Sequence, residues 1–412
     1  MGCCFNISLA LTILLPILLS LAFTNNLYPH RENETSETEF HHNSISFQYF
    51  KNNSYHSNPF FTVMLASTNS SFSFNHRLRD GSNLVYDFYR ESCPQAQDIV
   101  RSTISRIYFD HRDVSPALLR LFFHDCFIQG CDASILLDDS NDDKNRSAEK
   151  QAIPNQTLRG FDKIDMIKEE LEQACPGVVS CADILALATR DAVLLAGGPF
   201  YPVLTGRKDS HRSFFEEATN QIPRPDDNVT RTLHLFGLKG FNERETVSLL
   251  GGHNIGKIGC DFIHPRLYNF MGTGQPDPSI PHDFLLQMWL NCPNNITTTT
   301  DEFPDFVVSK RMSSHSDLGM SYMQALSASV SSGAAFDTHY YQSLLRGRGL
   351  LFADQQLMAA EKTARLVSAY SSDDGSTFRT DFARVMLKMS NLDVLSGLQG
   401  QVRLNCSQPV SS

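Results

Sequence analysis

The sequence Pro116-Ala117-Leu118-Leu119-Arg120-Leu121-Phe122-Phe123-His124-Asp125-Cys126 decides how the rest of the chain is interpreted. Its apolar residues occur on every side of a helix, which predicts a buried helix, with Ser115 as the N-cap and Pro116 at the first helical position. Arg120 and His124 are four residues apart and therefore share one face. Two polar groups on one face of a buried helix predict a dry cavity in which charge develops. A core histidine beside a snorkelling arginine is the alternative.

Oxygen-bearing side chains follow this helix at close spacing. Asp125, Asp132 and Ser134 lie within ten residues, around Gly130 and on either side of the pair Cys126 and Cys131. Because Ca²⁺ takes its ligands from carboxylate, hydroxyl and carbonyl oxygens, the segment predicts a calcium loop. The run RLFFHDCFIQGCDASILL closely resembles the distal-helix signature of the secreted plant haem peroxidases of class III, in which the arginine, the histidine, both cysteines and the calcium oxygens occur in the same register.

The resemblance implies a mainly α, haem-dependent peroxidase fold in which distal and proximal helical halves sandwich the haem. Periodicity supports the mainly α class by itself, because apolar residues recur at helical spacing in residues 96–109 and residues 180–196 are strongly apolar, while strand signals are few and short. The resemblance also implies a distal calcium site, whose expected ligands are Asp125, Ile128, Gly130, Asp132 and Ser134, with Glu149 placed to help through water.

A second stretch, TVSLLGGHNIG at residues 246–256, runs from a helix into two glycines and a histidine. Small residues beside a histidine permit close approach of a large flat group, and a turn with an incidental histidine is the alternative. Beside the distal stretch, it resembles the proximal motif of the same family, which implies His253 as the haem axial ligand. The carboxylate that pairs with this histidine in the family matches Asp354. One haem b is expected to bind non-covalently, because the sequence contains no Cys-x-x-Cys-His motif.

Three residues are expected to act on hydrogen peroxide at the distal side. An imidazole with an ordinary pKa near 6.5 suits proton transfer between the two peroxide oxygens, which gives this role to His124. A fixed cation lowers the barrier where charge develops on the leaving oxygen, and Arg120 fits this position. The resemblance implies Asn155 as the residue that orients His124.

The N-terminal region and the cysteines predict secretion. Residues 1–24 are predicted to form a signal peptide, because residues 7–23 are apolar and Ala22-Phe23-Thr24 resembles a small-residue cleavage site; an uncleaved membrane anchor is the rival interpretation. Of the ten cysteines, Cys3 and Cys4 leave with this segment. The other eight predict four disulfides in an oxidising compartment, with 105 possible pairings. The resemblance implies the pairs Cys93–Cys175, Cys126–Cys131, Cys181–Cys406 and Cys260–Cys292.

The remaining composition sets the domain organisation and the partners. Residues 25–82 are polar and lack a regular period, which predicts a disordered or processed extension before a peroxidase domain at 83–407. The net charge of −10, without a long basic run, argues against a nucleic-acid partner. We expect a monomeric glycoprotein in the extracellular space or cell wall, with the vacuole as the alternative compartment. Sequons at Asn33, Asn52, Asn69, Asn145, Asn228 and Asn295 agree with secretion, and Asn155 begins a further one that is expected to carry no glycan.

The proximal calcium site of the family is degraded in this chain. Asn254 stands where the family has a hydroxyl residue, and counting along the register puts Ser329 and Ser332 at two further ligand positions. Asp337 is then the only carboxylate. Because carboxylate charge sets much of the affinity, one bound calcium is expected rather than two. An insertion at about 297–324 lies beside this region.

These expectations combine into a haem peroxidase that reduces H₂O₂ and oxidises small phenolic donors by one-electron steps. Hydrogen peroxide catabolism, the response to oxidative stress and phenolic cell-wall chemistry follow from the resemblance. Pro223 matches the rim of the family's substrate channel, and Phe262 lies where the family often has an aromatic residue at the haem edge. A haem-containing cell-wall binding protein with weak or no turnover is the alternative, which the proximal departures favour. A zinc hydrolase is a weaker one, because no closely spaced His/Cys ligand pattern occurs.

Overall fold

Helices make up most of the chain that the structure describes. This computed structural model describes residues 84–138, 148–294, 319–322, 336–372 and 374–410. The α-helices are Ala96–Asp110, Val114–Ile128, Phe161–Ala174, Cys181–Leu195, Phe215–Gln221, Val229–Leu238, Glu243–Leu250, Cys260–Tyr268, His282–Asn291, His339–Leu345, Phe352–Gln355, Glu361–Ser372 and Ser376–Ser390. Two short strands, Ile258–Gly259 and Gly319–Met320, pair in antiparallel fashion. The predicted mainly α class is confirmed.

Several sequence predictions lie outside the described residues. They include the signal peptide (1–24), the extension (25–82) and most of the predicted insertion (297–324). The same holds for Ser329, Ser332 and the sequons at Asn33, Asn52, Asn69, Asn145 and Asn295. At the end of the predicted insertion, residues 319–322 are described, and two of them form the second strand.

The distal helix, Val114–Ile128, is buried as predicted, but its predicted start is wrong. The helix begins at Val114 with Asp113 as the N-cap, and the Ser115 hydroxyl instead donates a hydrogen bond of 2.7 Å to the carbonyl of Ala192. Ser115 therefore joins two helices rather than capping one. Pro116 is accommodated in the first turn because N–H groups there have no acceptor within the helix.

The helix Cys181–Leu195 packs against both the distal helix and Ala96–Asp110. Its first thirteen residues are all buried. At its start the Ser180 hydroxyl accepts a hydrogen bond of 3.2 Å from the Asp183 amide, a common N-cap arrangement. It ends at the predicted glycines, where Gly197 has φ of +83°, a conformation that favours glycine. This buried helix gives the distal helix a fixed support.

All four predicted disulfides are present, so the pairing implied by the resemblance is confirmed. The pairs are Cys93–Cys175, Cys126–Cys131, Cys181–Cys406 and Cys260–Cys292. Two of them bear on the predicted site. Cys126–Cys131 closes the loop after the distal helix, and Cys181–Cys406 joins the C-terminal segment to the start of the supporting helix.

The proximal histidine lies just beyond the helix Glu243–Leu250. This helix has the predicted capping box: the Asn242 side chain accepts from the Glu245 amide at 2.9 Å, and the Glu245 carboxylate accepts from the Asn242 amide at 2.8 Å. The 3₁₀ turn Gly251–Asn254 follows and carries His253. A Cβ at Gly251 would collide with Tyr341 and Phe378, so this glycine admits aromatic rings of the protein itself.

Candidate active site

On the distal helix, His124 is almost fully buried and has one firm partner. Its Nδ1 lies 2.7 Å from the Asn155 side-chain oxygen, and the Asn155 amide nitrogen donates to the Glu149 carbonyl at 2.8 Å. Burial lowers the pKa of His124 to about 3, and the charge of Arg120 adds to this effect while the Asn155 hydrogen bond opposes it. The imidazole is therefore neutral at physiological pH and can accept a proton.

Arg120 lies one helical turn before His124, and the chain around Asn155 holds it as well. Its guanidinium donates to the Thr157 hydroxyl at 3.0 Å and to the Pro154 carbonyl at 3.0 Å. It also stands over the ring of Phe262, at 5.8 Å from the centroid. Burial lowers the pKa of Arg120 to about 10, which leaves it charged. A single loop thus fixes both predicted distal residues.

On the proximal side, His253 pairs with the predicted carboxylate. Its Nδ1 lies 2.9 Å from Oδ1 of Asp354, which the short helix Phe352–Gln355 carries. Burial lowers the pKa of His253, but the charge and hydrogen bond of Asp354 outweigh it, so the pKa is raised. Asp354 is fully buried, whereas 41% of the His253 side chain is accessible. The ring therefore exposes the edge that carries Nε2.

The predicted distal calcium residues are assembled around atoms that lack partners. Backbone amides hold one oxygen of each carboxylate: Ala133 on Asp125 (3.1 Å), Ser134 on Asp132 (2.9 Å) and Phe214 on Glu149 (3.2 Å). Among the described residues, the buried Oδ1 of Asp125, Oγ of Ser134 and Oε1 of Glu149 have no hydrogen-bond partner. Buried polar atoms rarely stay unpaired, so this cluster fits a cation.

The mutual repulsion of the carboxylates in this cluster also favours a bound cation. Burial raises the pKa of Asp125 well above its usual range and that of Asp132 to about 6, and the charge of Asp132 raises that of Asp125 further. Burial and these two neighbours raise the pKa of Glu149 as well. No three His, Cys, Asp or Glu side chains of the described chain form a metal cage by themselves. Calcium here therefore needs the hydroxyl of Ser134 and backbone carbonyls.

The two predicted carbonyl ligands already have other roles in the loop. The Gly130 carbonyl accepts from the Asp132 amide at 2.9 Å, and the Ile128 carbonyl accepts from the Lys239 ammonium. A carbonyl oxygen has two lone pairs, so both remain available for a cation. Gly130 has φ of +124°, and a Cβ there would collide with the backbone of Asp393, which is why the loop requires glycine at this point.

The two described residues of the predicted proximal calcium site, Asn254 and Asp337, are instead saturated by hydrogen bonds. The Asn254 amide donates to the backbone carbonyl of Asp337 and accepts from the Tyr340 amide at 3.2 Å. The Asp337 carboxylate contacts the His339 ring and accepts from the His339 amide at 2.8 Å. Neither residue leaves a buried oxygen unpaired, in contrast to the distal cluster.

Comparison with known proteins agrees with this geometry. A family model described as Peroxidase matches residues 100–373. A protein of Arabidopsis thaliana provisionally named Peroxidase 48 is 46% identical over 80% of this chain and 83% of its own length. Peroxidase 57 of the same plant is 39% identical over 79% of the chain and 92% of its length, and Peroxidase 25 is 41% identical over 78% and 90%. This chain belongs to the class III plant peroxidase family. It is a haem peroxidase and has the peroxidase activity of that family.

The residues of the peroxidase fit a haem group. Both histidines have Nδ1 engaged, and within the described residues neither Nε2 has a hydrogen-bond partner. His253 carries the accessible edge and the carboxylate partner that metal-bound imidazoles usually have. All eight described cysteines are in disulfides, so no thiol there is free for covalent attachment. His253 and Asp354 would hold the haem iron from the proximal side.

Two predicted substrate residues flank these groups. Phe262, on the helix Cys260–Tyr268, lies against Arg120, which places it beside the distal pocket. Pro223 is half-buried in a loop that the Pro225 carbonyl fastens to the Ala353 amide at 2.9 Å, one residue before Asp354. The loop that carries Pro223 is therefore fastened to the backbone beside the Asp354 carboxylate.

The sequence did not identify several residues that hold the site. Thr157 and Pro154 bind Arg120, and their closeness to Asn155 in sequence was the available signal. Tyr322 and Tyr340 both donate to Asp354. Tyr340 follows Phe336-Asp337 closely, but Tyr322 carries no motif that would have marked it.

Proposed function

We propose that this peroxidase reduces hydrogen peroxide at the distal side of one non-covalent haem b and oxidises small phenolic donors at the haem edge. The observation that carries the proposal is the difference between the two histidine partners. A neutral amide holds His124, whereas a buried carboxylate holds His253. One imidazole is thereby suited to move a proton and the other to bind a metal.

The haem, when bound, supplies the iron and the electrons that reduce the peroxide. His124 accepts a proton at Nε2 from one peroxide oxygen and returns it to the other, while Asn155 keeps Nδ1 protonated and the ring oriented. Arg120 stabilises the negative charge that develops on the leaving oxygen. Because Thr157 and Pro154 hold the guanidinium, it need not reorganise during the reaction.

His253→Ala and His124→Ala test these assignments, with exposed His234→Ala as the control. His253→Ala is expected to lose the Soret band. His124→Ala is expected to keep the band and to react with H₂O₂ about 10²–10⁴-fold more slowly, the usual loss when general acid–base catalysis is removed. Equal haem retention and equal rates in both variants would contradict the assignment. No observation in the described structure or in the comparisons favours the alternative, a haem-containing binding protein without turnover.

We propose one tightly bound calcium, at the distal cluster. The unpaired oxygens of Asp125, Ser134 and Glu149 support this site, and the closed network of Asn254 and Asp337 argues against a second one. Metal analysis of desalted holoprotein should find one calcium per haem, and Ser134→Ala should weaken its retention. Two retained ions per haem would contradict the proposal and would mean that residues outside the described chain, such as Ser329 and Ser332, supply ligands.

We also propose that the chain is a secreted, monomeric glycoprotein of the extracellular space or cell wall. Four disulfides support an oxidising compartment, and among the described helices none is long and apolar enough to cross a membrane. The proposal includes a signal peptide at 1–24, a processed or disordered extension at 25–82 and the peroxidase domain at 83–407. N-terminal sequencing of protein secreted by plant cells tests it; a mature chain beginning at Met1 would contradict it.

A further inference from the structure

The Asp354 carboxylate accepts three side-chain hydrogen bonds in a fully buried site. Oδ1 accepts from His253 Nδ1 at 2.9 Å and from the Tyr340 hydroxyl at 2.9 Å. Oδ2 accepts from the Tyr322 hydroxyl at 2.6 Å. Asp354, Tyr340 and Tyr322 are each at most 1% exposed, so water does not compete with these bonds. Two phenols therefore share with His253 the carboxylate that holds its ring, the only such carboxylate among the described residues.

The direction of the Tyr322 hydrogen bond is fixed by a second contact. The Leu350 amide donates to the Tyr322 oxygen at 3.0 Å, which leaves the single hydroxyl proton for Asp354. Burial, followed by the charge of Asp354, raises the pKa of both phenols well above the ordinary value, which keeps both protonated. Both tyrosines are therefore donors, and both draw negative charge from the carboxylate.

Side-chain hydrogen bonds fasten the backbone just before Asp354. Arg266, paired with Asp277 at 2.7 Å, donates to the carbonyls of Gly349 and Leu350 just before the Asp354 helix. Tyr322 also contacts Leu350, through the Leu350 amide. It follows the strand Gly319–Met320, which pairs with Ile258–Gly259 a few residues after His253. The strand pair thus brings Tyr322 to the proximal carboxylate.

We propose that Tyr322 and Tyr340 are positioning residues that set the strength of the Asp354–His253 hydrogen bond and thereby the electron donation of His253 to its metal. The proposal rests on His253 being the haem ligand. Each phenol stabilises charge on the carboxylate and so weakens its attraction for the imidazole N–H. Tyr340 competes with His253 on the same oxygen, whereas Tyr322 acts through the opposite oxygen. Removing either hydroxyl should strengthen the bond to His253.

Tyr322→Phe and Tyr340→Phe test this proposal, with Tyr341→Phe as the matched control. Tyr341 is an equally buried neighbour whose hydroxyl donates to the Val247 carbonyl at 3.0 Å and not to Asp354. The readouts are the iron–histidine stretching frequency of the ferrous holoprotein and the haem reduction potential. We expect the frequency to rise and the potential to fall in both variants, more so in the double variant, with Tyr341→Phe matching the wild type.

An unchanged frequency and potential in Tyr322→Phe and Tyr340→Phe, or a shift that Tyr341→Phe reproduces, would overturn the proposal. If Tyr322→Phe does not yield folded protein, Tyr340→Phe decides alone, because its hydroxyl contacts the same carboxylate. Asp354→Asn should shift the iron–histidine stretching frequency in the opposite direction, because removal of the negative charge should lower it. Failure of the proposed function looks different: His253→Ala would then keep the wild-type iron–histidine band.

Discussion

Replacement of Asn155 by alanine should slow the reaction with hydrogen peroxide about 10–100-fold while leaving haem binding intact. The substitution removes the oxygen that lies 2.7 Å from His124 Nδ1. An unpaired buried donor costs about 1–3 kcal/mol, and about 1.4 kcal/mol corresponds to a tenfold rate change. With His124 only 5% exposed, water has little access to the vacated N–H, which favours the upper part of that range.

The assay is stopped-flow measurement of the second-order rate constant with H₂O₂. Gln156→Ala is the control, because this neighbour is exposed and its side-chain amide donates to the Gln151 carbonyl at 3.1 Å rather than to His124. Asn155→Asp keeps an acceptor but adds a negative charge, which should raise the pKa of His124 and make the rate fall on mild acidification. A wild-type rate constant for Asn155→Ala, with an unchanged Soret band, would refute the reasoning that the amide orients the base.

Three further predictions follow from the distal geometry. Because the pKa of His124 is lowered to about 3, the base is protonated only in strong acid, so the rate with H₂O₂ should stay level across mildly acidic pH and fall towards about pH 3; a midpoint near the ordinary histidine value would contradict this. Chelation of calcium and Asp125→Ala should both lower Tm and activity, and an unchanged melting temperature after exhaustive chelation would count against the distal site. Asn155 should carry no glycan in peptide mapping despite its sequon, since it is 2% exposed and bonded at both ends of its amide.

The residues that the sequence placed correctly lie in short segments of fixed register. His124 and Arg120 share one helix face, whereas the disulfide pairs and Asp354 follow from the family resemblance and not from spacing alone. Ser115 shows the limit of local rules: its hydroxyl has the chemistry of a cap, but the approach of Ala192 from another helix gives it a different partner. A tertiary contact of this kind has no signature in the residues around Ser115.

Tyr322 was not predicted for a different physical reason. It reaches Asp354 because Gly319–Met320 pairs with Ile258–Gly259, and strand pairing across a long connection is not determined by local sequence. Counting along the family register puts the end of the insertion at residue 324, after this strand. It therefore assigns residues 319–322 to the insertion, although two of them form a strand. Hydrophobic periodicity cannot detect a two-residue strand, and a single tyrosine has no spacing partner.

The carboxylate cluster that we propose as the calcium site is joined to His124, the proposed base, by two links. Asp125 follows His124 directly in the helix, and the Glu149 backbone carbonyl accepts from the same Asn155 amide whose oxygen holds His124. Without a cation, mutual repulsion among buried Asp125, Asp132 and Glu149 opposes the arrangement that both links require. Among the described residues of the proximal side, Asn254 and Asp337 are joined by hydrogen bonds and Asp354 is held by two phenols, so no comparable group of repelling carboxylates occurs there. On the proposed assignment, a calcium ion at the distal cluster would therefore support proton transfer at His124, while the described contacts of His253 come from protein side chains.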